Sequence, residues 1–212
     1  MKRVIFYFDG FNFYNGLREK SIENNKWKNY YWIDFIKFCN GFLYDKTHEL
    51  IGVKYFTAPP SNDKKRSRQS ALFSANKLLN PTKFSVIKGQ YQDKLIRCKL
   101  CNNNFMHPEE KRTDVSISVN MLLDCFNDKA DLLILISADS DQIPTIQSIK
   151  LHFPKKEIKV YFPPYRNSTE LLSIMKHIVF LSDNEDKFKN AVMPSIIDSG
   201  IKKYTQPDKW KF

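Results

Sequence analysis

The sequence predicts an α/β domain built on a mostly parallel sheet with helices on both faces. Three observations predict it. Short apolar runs alternate with amphipathic segments along most of the chain, the pattern of successive strand–helix units. The most apolar run, Leu132–Ile136, is short and bounded, as a central strand buried on both faces should be. A chain of 212 residues, 42% hydrophobic and 27% charged, is globular and long enough to bury one full core.

The elements follow in order. Val4–Phe8 is an apolar run closing on Asp9-Gly10, a buried first strand. Trp32–Leu43 carries Ile33, Ile36, Phe38 and Phe42 at near-helical spacing. Leu50–Thr57 reads as a second strand, stopped by Pro59-Pro60. Asn62–Leu79 begins polar and turns apolar, a helix whose first half carries Lys64, Lys65, Arg66 and Arg68. Phe84–Tyr91 alternates as a third strand. Glu109–Phe126 is the clearest helix: Val115, Val119, Leu122, Leu123 and Phe126 form one stripe on a 3.6-residue period, and Pro108 precedes it. After Leu132–Ile136 come a helix over Ile143–His152 and a strand over Glu157–Phe162, ended by Pro163-Pro164. A helix over Ser168–His177 and a short strand over Ile178–Leu181 complete a domain of residues 1–181. Residues 182–212 are polar and irregular, and are expected to pack across that domain as a tail.

No apolar run reaches the roughly 18 residues of a membrane helix. The opening MKRVIFYFDG has a basic start, but its apolar stretch is too short for a signal sequence and is broken by Asp9. A cytoplasmic protein with no membrane partner is expected. The 34 Lys and Arg against 23 Asp and Glu leave a net charge of +11. Such an excess suits a polyanionic partner through counterion release, while a merely solvated basic surface is the plainer alternative.

Asp9 ends the first strand, and Asp139 and Asp141 follow directly on the most buried one. In open parallel sheets functional groups collect at the carboxyl ends of strands. Asp114 lies in the first turns of the Glu109–Phe126 helix, and helix N-termini share that edge of the sheet. Four carboxylates brought together repel one another unless some stay protonated or a divalent cation intervenes, and hard oxygen ligands suit Mg²⁺ or Mn²⁺. Each aspartate taken singly is also a common helix cap or turn residue.

Three segments carry a resemblance: Asp9-Gly10-Phe11-Asn12-Phe13-Tyr14, Glu110-Lys111-Arg112-Thr113-Asp114-Val115, and Ser137-Ala138-Asp139-Ser140-Asp141. In order and spacing they are similar to the signatures of the NYN domain, the LabA-like branch of the PIN-like nuclease superfamily. The resemblance runs from about Lys2 to Leu181, and the closing Ile201–Trp210 is similar to the end of many bacterial members. It implies a three-layer Rossmann-like fold and a metal-dependent ribonuclease, expected to be endonucleolytic, with RNA as its partner. It makes Asp9, Asp114, Asp139 and Asp141 the metal-binding and catalytic acids, Asn12 a polar catalytic residue after the first strand, and Ser137 and Ser140 supporting hydroxyls. Ala138 stands where the family often has Gly. Some members of such a family act by binding or regulation, so a catalytically weak RNA-binding protein is the alternative. A metal-dependent phosphatase for small substrates is a third class.

Cys39 and Cys125 sit in apolar segments as buried thiols. Cys98 and Cys101 form a C-x-x-C pair with His107 six residues further on. That is three of the four ligands a structural zinc normally takes, and a reduced thiol pair is the alternative. Lys64, Lys65, Arg66 and Arg68, and after them Lys94 and Arg97, can track a phosphate backbone. Phe11, Phe13 and Tyr14 lie beside Asp9, where an aromatic either stacks on a base or packs in the core.

Overall fold

The computed structural model describes residues 1–211; the side chains of residues 92–93 and 107–110 lie outside what it describes. Six strands form one parallel sheet: β1 (Lys2–Asp9), β2 (His48–Thr57), β3 (Phe84–Lys88), β6 (Leu132–Ile136), β7 (Glu157–Phe162) and β8 (Ile178–Phe180). Their spatial order is β3-β2-β1-β6-β7-β8, with every pair parallel. The order runs outward in one direction from β1 and in the other from β6, so the chain reverses its winding between these two strands. That is the doubly wound Rossmann-like arrangement, with its switch point at β1/β6.

Side chains alternate across the sheet with the strand period of two. Val4, Phe6 and Phe8 of β1, with Leu132, Ile134 and Ile136 of β6, face one core. Ile5 and Tyr7, with Leu133 and Leu135, face the other. The first core is covered by α1 (Gly10–Glu23), α2 (Phe35–Asn40), α3 (Asp63–Leu79) and α7 (Glu185–Ala191). It is strongly aromatic: Phe8, Phe13, Phe35, Phe38 and Phe188 meet at tilted, stacked and edge-on angles. The second core lies under α4 (Thr113–Phe126), α5 (Ile143–His152) and α6 (Thr169–Ile174). The three-layer α/β architecture expected from the sequence is therefore present. Phe188, Ala191, Met193, Ile197 and Trp210 of the last thirty residues join the first core.

One helix is new, and several expected elements need correction. Gly10–Glu23 is a full helix, capped by the Asp9 carboxylate on the Asn12 N–H, and no periodicity had marked it. The segment Phe84–Tyr91 is two strands: β3 ends at Lys88, and β4 (Gln90–Arg97) turns away to pair antiparallel with β5 (Asn104–Lys111). The expected Glu109–Phe126 helix thus begins only at Thr113, after Arg112 takes a left-handed conformation at φ 75° that separates strand from helix. Finally, four of the five residues of the stripe that marked this helix face outward, and only Leu122 packs against the second core. Val115, Val119, Leu123 and Phe126 are exposed, while Ile117, Met121 and Cys125 reach the core. Both sets recur at intervals of three or four residues, so period alone cannot choose between them. Packing of α4 across β1, β2 and α5 makes the choice. Helix α2 is also shorter than Trp32–Leu43, starting at its cap Asp34, and α6 is held to Thr169–Ile174 by its cap Ser168.

Two buried polar groups pin these layers. Asn76 on α3 accepts the Phe35 N–H at 2.8 Å and donates to the Ile33 and Leu72 carbonyls, so it ties α3 to the start of α2. Asp124, 2% exposed on α4, accepts from Tyr7 Oη at 2.7 Å and from Lys54 Nζ at 2.5 Å. Here a carboxylate is structural, and its cation comes from β2.

Candidate metal centre

Parallel register places the site. Phe8 pairs with Ile136, so Asp9 at the end of β1 stands level with Ser137 just beyond β6, at the switch point. Asp9 is buried, 4% exposed. Its Oδ1 accepts the Asn12 backbone N–H at 3.0 Å, and its Oδ2 accepts the Ser137 hydroxyl at 2.7 Å. Ser137 Oγ in turn accepts the Asp139 N–H at 3.0 Å, and Asn12 Oδ1 accepts the Ala138 N–H at 3.2 Å. Asn12 and Ser137 therefore join the first turn of α1 to the loop after β6. They fix Asp9 and Asp139 relative to each other, and Ala138 contributes its backbone N–H to this link.

Asp114 arrives from the first turn of α4. Its carbonyl accepts from Ser118 Oγ at 3.0 Å, and Gln142, fully buried, donates to it from Nε2 at 3.4 Å. Gln142 Oε1 also accepts from Ser118, whose hydroxyl oxygen takes a bond from Thr145 at 2.8 Å. This clasp between α4 and the turn before α5 sets the height of Asp114. Nothing in the sequence pattern marked Gln142, because its contribution is a contact between elements distant in sequence.

The outcome is a group of three: one carboxylate oxygen each from Asp9, Asp114 and Asp139 lie within 4.8 Å of one another. Asp9 forms the buried floor, Asp139 is half-buried, and Asp114 is exposed at the rim. These three side chains can hold a metal ion. The electrostatics fit that use. Burial, reinforced by the charges of Asp114 and Asp139, pushes the Asp9 carboxyl up to about 7 against the Asn12 and Ser137 hydrogen bonds, which favour the ionised form. Asp114 is also raised, by partial desolvation of its carboxyl at the rim and then by the charges of Asp139 and Asp141. A cation among the three oxygens would remove both penalties.

Asp141 lies outside this group. It is exposed, and its backbone N–H donates to Asp139 Oδ1 at 3.0 Å, so Asp139 caps the short 3₁₀ turn Ser140–Gln142 while facing the site. Its charge nonetheless raises Asp114. Ser140, Asn12 and Asp139 line an open cleft with Arg166 and residues 167–170. Arg166 was not marked by any motif. It follows Tyr165, which has a left-handed φ of 61°, in a turn closed by the Arg166 N–H on the Pro163 carbonyl at 3.1 Å. The turn lies so close to α1 that a Cβ on Gly16 would stand 2.2 Å from the Pro164 oxygen. Gly16 is what lets Arg166 come down beside the first turns of α1.

The remaining sequence expectations separate. Of the basic cluster on α3, Lys65 and Arg68 line a cavity beside Gly10, whereas Arg66 bonds the Pro60 and Ser61 carbonyls and pairs with Asp63. Lys64 is exposed. Of the three aromatics, Phe13 is core, while Phe11 and Tyr14 line the same cavity. Cys98 and Cys101 sit at the turn of the β4–β5 hairpin, and backbone N–H groups of Cys101 and Leu100 lower the Cys98 thiol. The backbone of His107 pairs with Lys94, about 10 Å along the ladder from the hairpin turn. Its side chain lies outside the described residues. Cys39 and Cys125 are buried free thiols. Among the described residues no helix is long and apolar enough to cross a membrane.

No protein-family profile matches the chain, and no curated protein matches it. Among solved structures it is similar to VPA0982 of Vibrio parahaemolyticus, a protein of unknown function, at 18% identity and a TM-score of 0.55. The match covers 84% of this chain and 91% of that one, a likeness of fold across nearly the whole molecule.

Proposed function

We propose that the protein is a divalent-metal-dependent ribonuclease of NYN type, hydrolysing RNA phosphodiester bonds at the Asp9–Asp114–Asp139 centre. The observation that carries the reading is the meeting of these three carboxylates at the switch point of the sheet. They come from two of the three NYN-like motifs at strand ends and from the third at a helix start. An all-oxygen donor set selects hard cations, Mg²⁺ or Mn²⁺. When bound, such an ion supplies Lewis acidity toward a phosphate oxygen and toward the attacking water.

The chain's own residues do the positioning. Ser137 and the Asn12 N–H hold Asp9 with both oxygens oriented, and Asp139 is tied to the same loop by its own N–H. The Asn12 side-chain oxygen accepts the Ala138 N–H, which leaves its amide nitrogen as a donor for phosphate or water in the cleft that Asn12 lines. Arg166, which lines the same cleft, offers a second donor to a phosphate. Clustered carboxylates repel phosphate in the absence of a cation, so a protein that only bound RNA would gain nothing from them. The net charge of +11 favours a polyanion over a small phosphate ester.

The test is cleavage of linear and circular single-stranded RNA, with DNA and a small phosphomonoester in parallel, in Mg²⁺, Mn²⁺ or EDTA. Cutting of circular RNA in Mg²⁺ or Mn²⁺ and none in EDTA is expected. Asp139→Asn should lower that rate by two orders of magnitude or more while the far-ultraviolet spectrum stays unchanged. Equal cutting by parent and variant, or cutting that persists in EDTA, refutes the proposal.

A further inference from the structure

Beside the metal centre a second cavity of about 500 Å³ opens between α1, α3 and the C-terminal segment. Its volume is that of a small-ligand site. One part of its wall is aromatic. Phe11 is 54% exposed on the first turn of α1, two residues after Asp9. Tyr14, one turn along, lines the same space and packs its ring against Tyr31. Trp210 also lines this space, stacked on Tyr31 at 5.6 Å and 25°. The other part is cationic, with Arg18, Lys65, Arg68 and Arg166. Glu19, the acid on this wall, is engaged by Arg166 at 2.7 Å.

Arg166 decides the meaning of the arrangement. It lines both this cavity and the cleft that holds Asn12, Asp139 and Ser140, and among the described residues no other lines both. A ligand that filled the aromatic part and extended an anion past Arg166 would enter the metal centre directly. Flat rings left accessible in a cationic pocket suit a π-faced ligand carrying phosphate, which is a nucleotide. Phe11 lines this cavity with about half of its surface exposed, in contrast to Phe13, which is consumed by the core.

We infer that this cavity is a nucleotide-binding subsite: it takes one base of a single strand against Phe11 and Tyr14, with the attached phosphate on Arg166. The adjoining phosphodiester then lies at the three carboxylates. The inference rests on the nuclease reading for the onward path of the strand, but occupancy by a nucleotide is measurable without it.

The experiment titrates adenosine 5′-monophosphate, adenosine and ribose 5-phosphate into the full chain in EDTA by calorimetry. The monophosphate should bind saturably and ribose 5-phosphate about tenfold more weakly or worse, as loss of a stacked base requires. Phe11→Ala should weaken the monophosphate by a similar factor, and Phe11→Tyr should restore it. Arg166→Gln should weaken the monophosphate and leave adenosine unchanged. Phe11 is solvent-facing, so its truncation leaves folding intact. Monophosphate binding no tighter than that of ribose 5-phosphate, or indifferent to Phe11→Ala, overturns the inference. Binding with the expected pattern in a chain that never cuts RNA supports the subsite and removes the nuclease reading. Metal-dependent cutting with no monophosphate binding does the reverse.

Discussion

Asp9→Asn is expected to stabilise the metal-free protein above neutral pH and to make it indifferent to Mg²⁺. Asp9 titrates near 7 in the folded chain, against an ordinary 3.8, chiefly because burial disfavours its charge. The folded state therefore binds more protons than the unfolded one between these values. Stability must fall as pH rises through that window and then level off. Below about pH 4 the group is neutral in both states and costs nothing. Fully ionised at pH 8, it costs the folded chain up to about 4 kcal/mol, at 1.36 kcal/mol per pKa unit. Relaxation at the rim near Asp114 lowers this, so a gain of about 2–4 kcal/mol is expected on substitution, or roughly 5–15 °C in Tm for a chain of this length. Asparagine keeps most of the local bonds: its Oδ1 can still accept the Asn12 N–H, and its Nδ2 can donate to Ser137 Oγ, which then accepts a second bond beside the Asp139 N–H and gives up the acceptor of its own hydrogen. The assay is urea denaturation of both proteins in EDTA from pH 5 to 8, repeated in Mg²⁺. The parent should lose stability relative to the variant as pH rises, and Mg²⁺ should return it to the parent alone. Parallel profiles in EDTA would refute the reasoning, since the buried carboxylate would then carry no penalty for a cation to relieve.

Other outcomes follow from the same geometry. Asp124→Ala leaves Lys54 without its carboxylate partner and Tyr7 without an acceptor, so a loss of about 3–5 kcal/mol is expected in thermal or chemical denaturation; a loss under 1 kcal/mol would mean the network is dispensable. Lys65→Ser with Arg68→Ser should make the log–log salt dependence of single-stranded RNA binding shallower by about 1.4. Lys64→Ser with Arg66→Ser should change it less, because Arg66 is already engaged with Asp63 and backbone carbonyls; equal effects of the two pairs would show that the α3 cavity face is not the RNA track. Gly16→Ala forces α1 away from the Pro164 carbonyl, with an expected cost of about 1–3 kcal/mol from overpacking and weaker phosphate binding through Arg166; unchanged melting would show that the turn yields freely.

Some of this protein was written plainly in its sequence. Apolar runs ending in Asp9 and before Asp139 marked two strand ends, because a strand buried on both faces admits no polar residue until it leaves the sheet. The motifs around Asp9, Asp114 and Asp139 therefore named the residues that meet. Tertiary structure decided which face of each element is used. Helix α4 carries two apolar stripes of the same period, and only its packing on β1, β2 and α5 selects Ile117, Met121 and Cys125 over Val115, Val119, Leu123 and Phe126. The run Phe84–Tyr91 reads as one strand, yet the chain leaves the sheet at Gly89 for the β4–β5 hairpin. Asp141 shares a motif with Asp139, yet the 3₁₀ turn between them directs one carboxylate inward and leaves the other exposed. Gln142, Arg166 and Trp210 matter through contacts with α4, α1 and Tyr31, partners far away in the chain, and local periodicity holds no record of such contacts.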